Sequence, residues 1–178
     1  MNALRSETLL QTDFCEPEQV LASFNKAFPG EQHNDMFFTI WYGVYNKPSQ
    51  SLAYASGGHP PALLFGGTPS DKSEMFMLRT KNYVIGVMPD AVYKKGTQKV
   101  NNPSCLYIFS DGVYEIPRAD GRMWQFKEFS EFVQQPNIER QSDIERIFQH
   151  AKKINQFDSF EDDFTILEIV FTDTEISV

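Results

Sequence analysis

Cys105-Leu-Tyr-Ile-Phe-Ser-Asp-Gly-Val-Tyr-Glu115 is the stretch that decides the fold. Leu106 to Phe109 is a short, unbroken apolar run, rich in aromatic and β-branched residues. It reads as a strand buried on both faces. The run stops at Ser110-Asp111-Gly112, which sets a carboxylate at the end of a rigid element beside a residue that allows a turn or a close approach. Such a position suits a metal ligand or a catalytic acid. From this stretch alone a plain strand-ending turn is the favoured reading, since Asp-Gly is common turn chemistry.

A second stretch near the C-terminus repeats the pattern. Glu161-Asp162-Asp163-Phe164-Thr165 precedes the β-prone run Ile166 to Phe171. If the two strands are neighbours, their acidic ends could share one hard cation or a pair of them.

Three further stretches complete a series. They are Phe37-Phe38-Thr39, Tyr54-Ala55-Ser56-Gly57-Gly58-His59-Pro60-Pro61 and Ile85-Gly86-Val87. In this order, with Asp111-Gly112-Val113-Tyr114-Glu115 and Asp162-Asp163-Phe164-Thr165, they resemble the PPM-type (protein phosphatase 2C-like) metal-dependent serine/threonine phosphatases. The branch is the SpoIIE-like one that contains bacterial sigma-factor regulators. The resemblance runs to about Phe171. It implies an α+β fold: an antiparallel β-sandwich flanked by helices, in α-β-β-α layers.

It also implies two Mn²⁺ or Mg²⁺ ions, held by aspartates, that activate a water against phosphoserine or phosphothreonine. Asp111 and Asp162 are carried over as metal ligands. Asp163, Gly112, Thr165 and His59 are carried over as residues that shape or support the site. For Thr165 an ordinary strand role is an equal reading, and for His59 the expected job is fixing its own turn by hydrogen bonding. The implied partner is a phosphorylated anti-sigma-factor antagonist, with an attached sensory or receiver domain upstream. The alternative is a noncatalytic module that binds a phosphoprotein or associates with itself.

One departure stands against these matches. The family's first metal motif, an Asp-x-x-Gly-x-Gly-like loop, has no counterpart, because Asp13 and Asp35 lack the glycines. The expectation is that the chain begins inside the domain; a degenerate, metal-poor relative is the other explanation. On either, this chain alone should bind divalent metal weakly and turn over slowly. Uncovered sheet edges would favour a homo-oligomer.

Composition narrows the rest. A length of 178 residues reads as one domain, 1–178, with a sizeable core. A net charge of −8 argues against nonspecific nucleic-acid binding. No apolar run is long enough to span a bilayer, and no signal-peptide pattern opens the chain. The two cysteines, Cys15 and Cys105, have no metal spacing, and a reducing, cytoplasmic setting is the economical expectation.

Along the chain, 1–10 reads as the end of a helix, and Pro17 begins another with Val20, Leu21, Phe24 and Phe28 inward. Met36 to Tyr45 reads as a long central strand, with Ser51 to Ala55 as its hairpin partner. Tyr93 to Val100 reads as an edge strand. Lys127 to Gln134 is a short helix. Ser142 to Glu145 has capping-box spacing, ahead of a stripe of Ile144, Ile147, Phe148, Ala151 and Ile154. His33 and His150 read as surface residues. Neither a nucleophile elbow nor a phosphate-cradling glycine loop with a lysine is present.

Overall fold

A computed structural model describes residues 12–32, 34, 36–137 and 142–172. The helix expected over 1–10, His33 and Asp35 lie outside these residues. The chain divides into two compact units, one built from its start to Pro61 with Leu78–Val100, the other from Ala62–Met77 and from Asn101 onward.

The first unit holds helix α1 (Pro17–Ala27) and strands β1 (Ile40–Asn46), β2 (Ser51–Gly57) and β5 (Gly96–Lys99). The proline at the first helical position costs no hydrogen bond there. The strands form an antiparallel sheet in the order β1-β2-β5, with Val44 opposite Ala53 in the hairpin. Leu21, Ala55, Ile85 and Tyr93 form the core, with Phe24, Phe28 and Phe38 packed on it. Burial pushes the Tyr93 phenol up to about 12.

The strand expected over 36–45 is shorter than its apolar run and lies at the sheet edge, not its centre. Met36 and Phe37 are exposed, and Phe38 makes only an isolated bridge to Ile85. An all-apolar run does not tell whether partners flank it on both sides. Among the described residues the hairpin leaves one side of β1 without a partner in its own sheet, and β2 takes the central place.

The second unit carries β3 (Ala62–Thr68), β4 (Asp71–Leu78, whose last residue falls in the first unit), β6 (Ser104–Phe109) and β9 (Ile166–Phe171), in the antiparallel order β4-β3-β6-β9. It also holds helices α2 (Phe126–Gln134) and α3 (Asp143–Ile154) and a short ribbon of β7 (Ile116–Pro117) with β8 (Met123–Trp124). β6 lies inside the sheet, as its sequence requires. Alternate residues Cys105, Tyr107 and Phe109 share a face with Leu63 and Phe65. Phe129, Val133, Ile147 and Ala151 of the two helices complete that core. Leu106 is buried as well, at 2% exposure, so both faces of β6 are covered. Cys105 is fully buried, and burial pushes its thiol up to about 12, with Glu168 adding to the effect.

One detail of α3 follows the sequence reading and one differs. Ser142 does cap α3, accepting a hydrogen bond from the Glu145 amide at 3.1 Å. His150 is half-buried rather than a surface residue, with its ring 4.1 Å from Phe132 and 5.1 Å from Trp124. Its spacing misses the aliphatic stripe, but an aromatic pocket on the flank of α3 receives it.

Candidate active site

The end of β6 and the approach to β9 meet at one serine. Phe109 pairs with Ile166, and the ladder continues as the Ser110 amide donates to the Thr165 carbonyl at 3.0 Å. The Ser110 hydroxyl donates to the Asp163 carbonyl at 2.6 Å and accepts from the Thr165 amide at 3.1 Å. One side chain therefore fixes the backbone of the whole Asp163–Thr165 turn.

Gly112 brings the two segments closer. A β-carbon at this position would stand 2.7 Å from the Asp163 carbonyl oxygen and 3.2 Å from the Asp162 β-carbon. The first distance is shorter than real contacts allow, so only glycine permits this approach. Asp111 and Asp162, 51 positions apart in the chain, therefore sit on touching turns. Asp111 opens a 3₁₀ turn, Asp111–Val113, and its carbonyl accepts from the Tyr114 and Glu115 amides at 2.9 Å each.

The carboxylates have different surroundings. The Asp162 Oδ1 accepts from the Asp163 amide at 2.7 Å, which orients that group. The exposed Asp111 carboxylate makes no hydrogen bond or ion pair with a described residue. Asp163 and Thr165 are exposed and contribute backbone contacts to the turn. Nearby, burial pushes the Tyr114 phenol up to about 12, with Glu115 and Asp111 adding to it.

His59 belongs to the other unit. Its Nδ1 lies 3.0 Å from the Pro60 carbonyl, which can only accept, so Nδ1 carries the proton.

Hard carboxylate oxygens are the donors that Mg²⁺ and Mn²⁺ prefer. Asp111 and Asp162 thus fit a divalent ion in type. They do not complete a site in number: among the described residues no group of three or more His, Cys, Asp or Glu is placed to hold a metal. Ser110 is the site residue that the sequence reading missed. Its position directly before Asp-Gly was the available signal, but its partners lie more than fifty residues away.

The sequence profile of Stage II sporulation protein E (SpoIIE) matches residues 1–172. The chain belongs to the SpoIIE family. Among curated relatives of this SpoIIE-family chain, phosphoserine phosphatase RsbU of Bacillus subtilis strain 168 is 28% identical over 162 residues, covering 85% of this chain and 44% of RsbU. The chain thus spans less than half the length of that relative. Among solved structures, the SiaA-PP2C domain of Pseudomonas aeruginosa superposes with a TM-score of 0.69 at 15% identity, covering 88% of this chain and 61% of that one. RsbX in complex with magnesium gives 0.55 at 19% identity, over 86% and 63%. The fold is that of the PP2C phosphatases, with antiparallel sheets and helices, as the sequence motifs implied.

Proposed function

We propose that this SpoIIE-family chain contributes to the catalytic centre of a phosphatase, dependent on Mn²⁺ or Mg²⁺, that acts on phosphoserine or phosphothreonine of a regulatory protein. The observation that carries this reading is the junction of Asp111-Gly112 with Asp162-Asp163 through Ser110. The name of RsbU, a phosphoserine phosphatase, supports the substrate class, and the magnesium complex of RsbX supports the metal. Asp111 and Asp162 would hold the ion, and Ser110 and Gly112 would keep their two turns together. When bound, the metal supplies positive charge for the phosphate oxygens and a water acidic enough to attack at neutral pH.

By the same reading, residues 1–178 act as one phosphatase-like domain. The substrate is a phosphorylated anti-sigma-factor antagonist in a partner-switching pathway, under an attached sensory or receiver domain, in the cytoplasm. No helix among the described residues is long and apolar enough to cross a membrane.

The incomplete donor set favours a second reading, a noncatalytic phosphoprotein-binding or self-associating module. Calorimetric Mn²⁺ titration, paired with hydrolysis of a phosphoserine peptide, separates the two. The catalytic reading expects weak metal binding, lost in Asp111→Asn and Asp162→Asn, and slow hydrolysis that stops in excess chelator and falls roughly 100-fold in either variant. Hydrolysis that persists in chelator removes it.

A further inference from the structure

We infer that the cavity beside His59, within the first unit, is a binding site for a phosphate monoester. It has a volume of about 540 Å³ and opens between the end of β2 and the segment 79–83. Its lining includes His59, Arg79 and Lys81, and none of its lining residues is acidic, in a chain with a net charge of −8. The ion pairs among described residues use Lys72, Lys95, Arg118, Arg122, Lys127 and Arg146. Arg79 and Lys81 take part in none and are exposed at the rim.

The cations stand on a fixed base. Thr80, between them, is locked to Ser56, itself only 1% exposed. The Ser56 amide donates to the Thr80 hydroxyl at 2.8 Å, and the Thr80 amide donates to the Ser56 hydroxyl at 3.0 Å. Each hydroxyl in turn donates to the other residue's carbonyl, at 3.1 and 3.2 Å. Asn82 donates to the Thr80 hydroxyl at 2.8 Å and is held by the backbone of Lys94. Arg79 and Lys81 flank Thr80, the Asn82 amide closes a tight turn onto the Thr80 carbonyl at 3.1 Å, and both cations line the same cavity. His59 spends Nδ1 on Pro60, which leaves Nε2 as its free ring nitrogen.

The chemistry matches a dianion better than a carboxylate. A guanidinium grips two oxygens of one phosphate as a fork, and an ammonium adds a second full charge. A monoanionic carboxylate balances only one of their two charges. The phosphate could belong to a small phosphomonoester or to a phosphoserine in a protein segment. The site needs no metal, so it stands or falls apart from the Asp111–Asp162 reading.

The test is a nitrogen-15 amide titration of the whole chain in excess chelator, with inorganic phosphate, O-phosphoserine, and a serine peptide in phosphorylated and plain forms. Shifts are expected at 56–59 and 79–83 with the phosphorylated ligands, and weakening as ionic strength rises. Arg79→Ala with Lys81→Ala should weaken binding about tenfold or more, and Arg79→Lys less. Asp111→Asn should leave binding as it is. If the phosphopeptide binds more tightly than free phosphoserine, the ligand is a protein segment; equal binding assigns a small phosphomonoester. The proposal is overturned if millimolar phosphate leaves these amides unmoved, if acetate shifts them equally, or if the double variant binds like the parent.

Discussion

At the scale of single residues, the site rests on Ser110 and Gly112 more than on the acids they flank. Ser110 both donates to and accepts from the opposite turn, so Ser110→Ala removes two hydrogen bonds that hold it and leaves that carbonyl and amide to water. The expected loss is about 0.5–1.5 kcal/mol of stability, read by urea denaturation, with weaker Mn²⁺ binding by calorimetry. Gly112→Ala acts by sterics alone. Its new methyl group would meet the Asp163 carbonyl at 2.7 Å, so the turn must retreat and carry Asp162 away from Asp111. Metal affinity should fall by about tenfold or more even if the variant remains folded. An unchanged affinity would show that the junction does not govern the site. Asp111 follows one β-prone run and Asp162 precedes another, a pattern that can be seen in the sequence. The serine was not legible there, because its role is set by residues with which no local pattern connects it.

At the scale of elements, the anchoring of α3 shows why sequence periodicity under-reads a buried charge. Asp143 follows the Ser142 cap and looks like ordinary first-turn acid chemistry. It is instead 2% exposed, paired with Lys72 of β4 and Arg146, and hydrogen-bonded by the Tyr107 hydroxyl at 2.7 Å. Burial alone would raise its carboxyl, but the bonds from Lys72, Arg146 and Tyr107 outweigh it and hold the group below its usual range. Lys72 also donates to the Val133 carbonyl at 2.6 Å, which ties the end of α2 to the sheet. Lys72→Met leaves this carboxylate short of a partner in the core. It should cost about 3–5 kcal/mol, while Lys72→Met with Asp143→Leu should recover part of that loss in denaturant titrations.

His150, on the same helix, gives a pH signature. Burial first, and then the neighbouring Arg118, Lys153 and Arg146, lower its pKa from the ordinary 6.5. The unfolded chain therefore binds the proton more readily. The stability is complete above about pH 6.5 and is lost as pH falls from there towards the depressed value. His150→Phe should flatten that part of a stability–pH curve. A decline of the same size in the variant would assign it to other groups.

At the scale of the whole molecule, the chain divides into two compact units, and the single domain 1–178 read from the sequence is a statement about whether they unfold together. Chain length bounds the size of a core, but not how contacts divide, and the exchange of strands at Pro61–Ala62, Met77–Leu78 and Val100–Asn101 leaves no linker-like composition to find. The tryptophans provide a test, since Trp41 lies in the first unit and buried Trp124 in the second. Trp124→Phe leaves a reporter for the first unit, and Trp41→Phe leaves one for the second. If 1–178 unfolds as one domain, both report the same thermal transition. Asp111 and Asp162 both belong to the second unit. An ion that binds only where their turns are joined stabilises the folded state by about 2.7 kcal/mol at a hundredfold excess over its dissociation constant. Mg²⁺ should therefore raise the Trp124 transition, and raise the Trp41 transition equally only if the units unfold together. Asp111→Asn and Asp162→Asn should each abolish the shift at both reporters. A shift that survives both substitutions would place the stabilising ion elsewhere on the molecule, with Asp13 and Asp35 the next acids to replace.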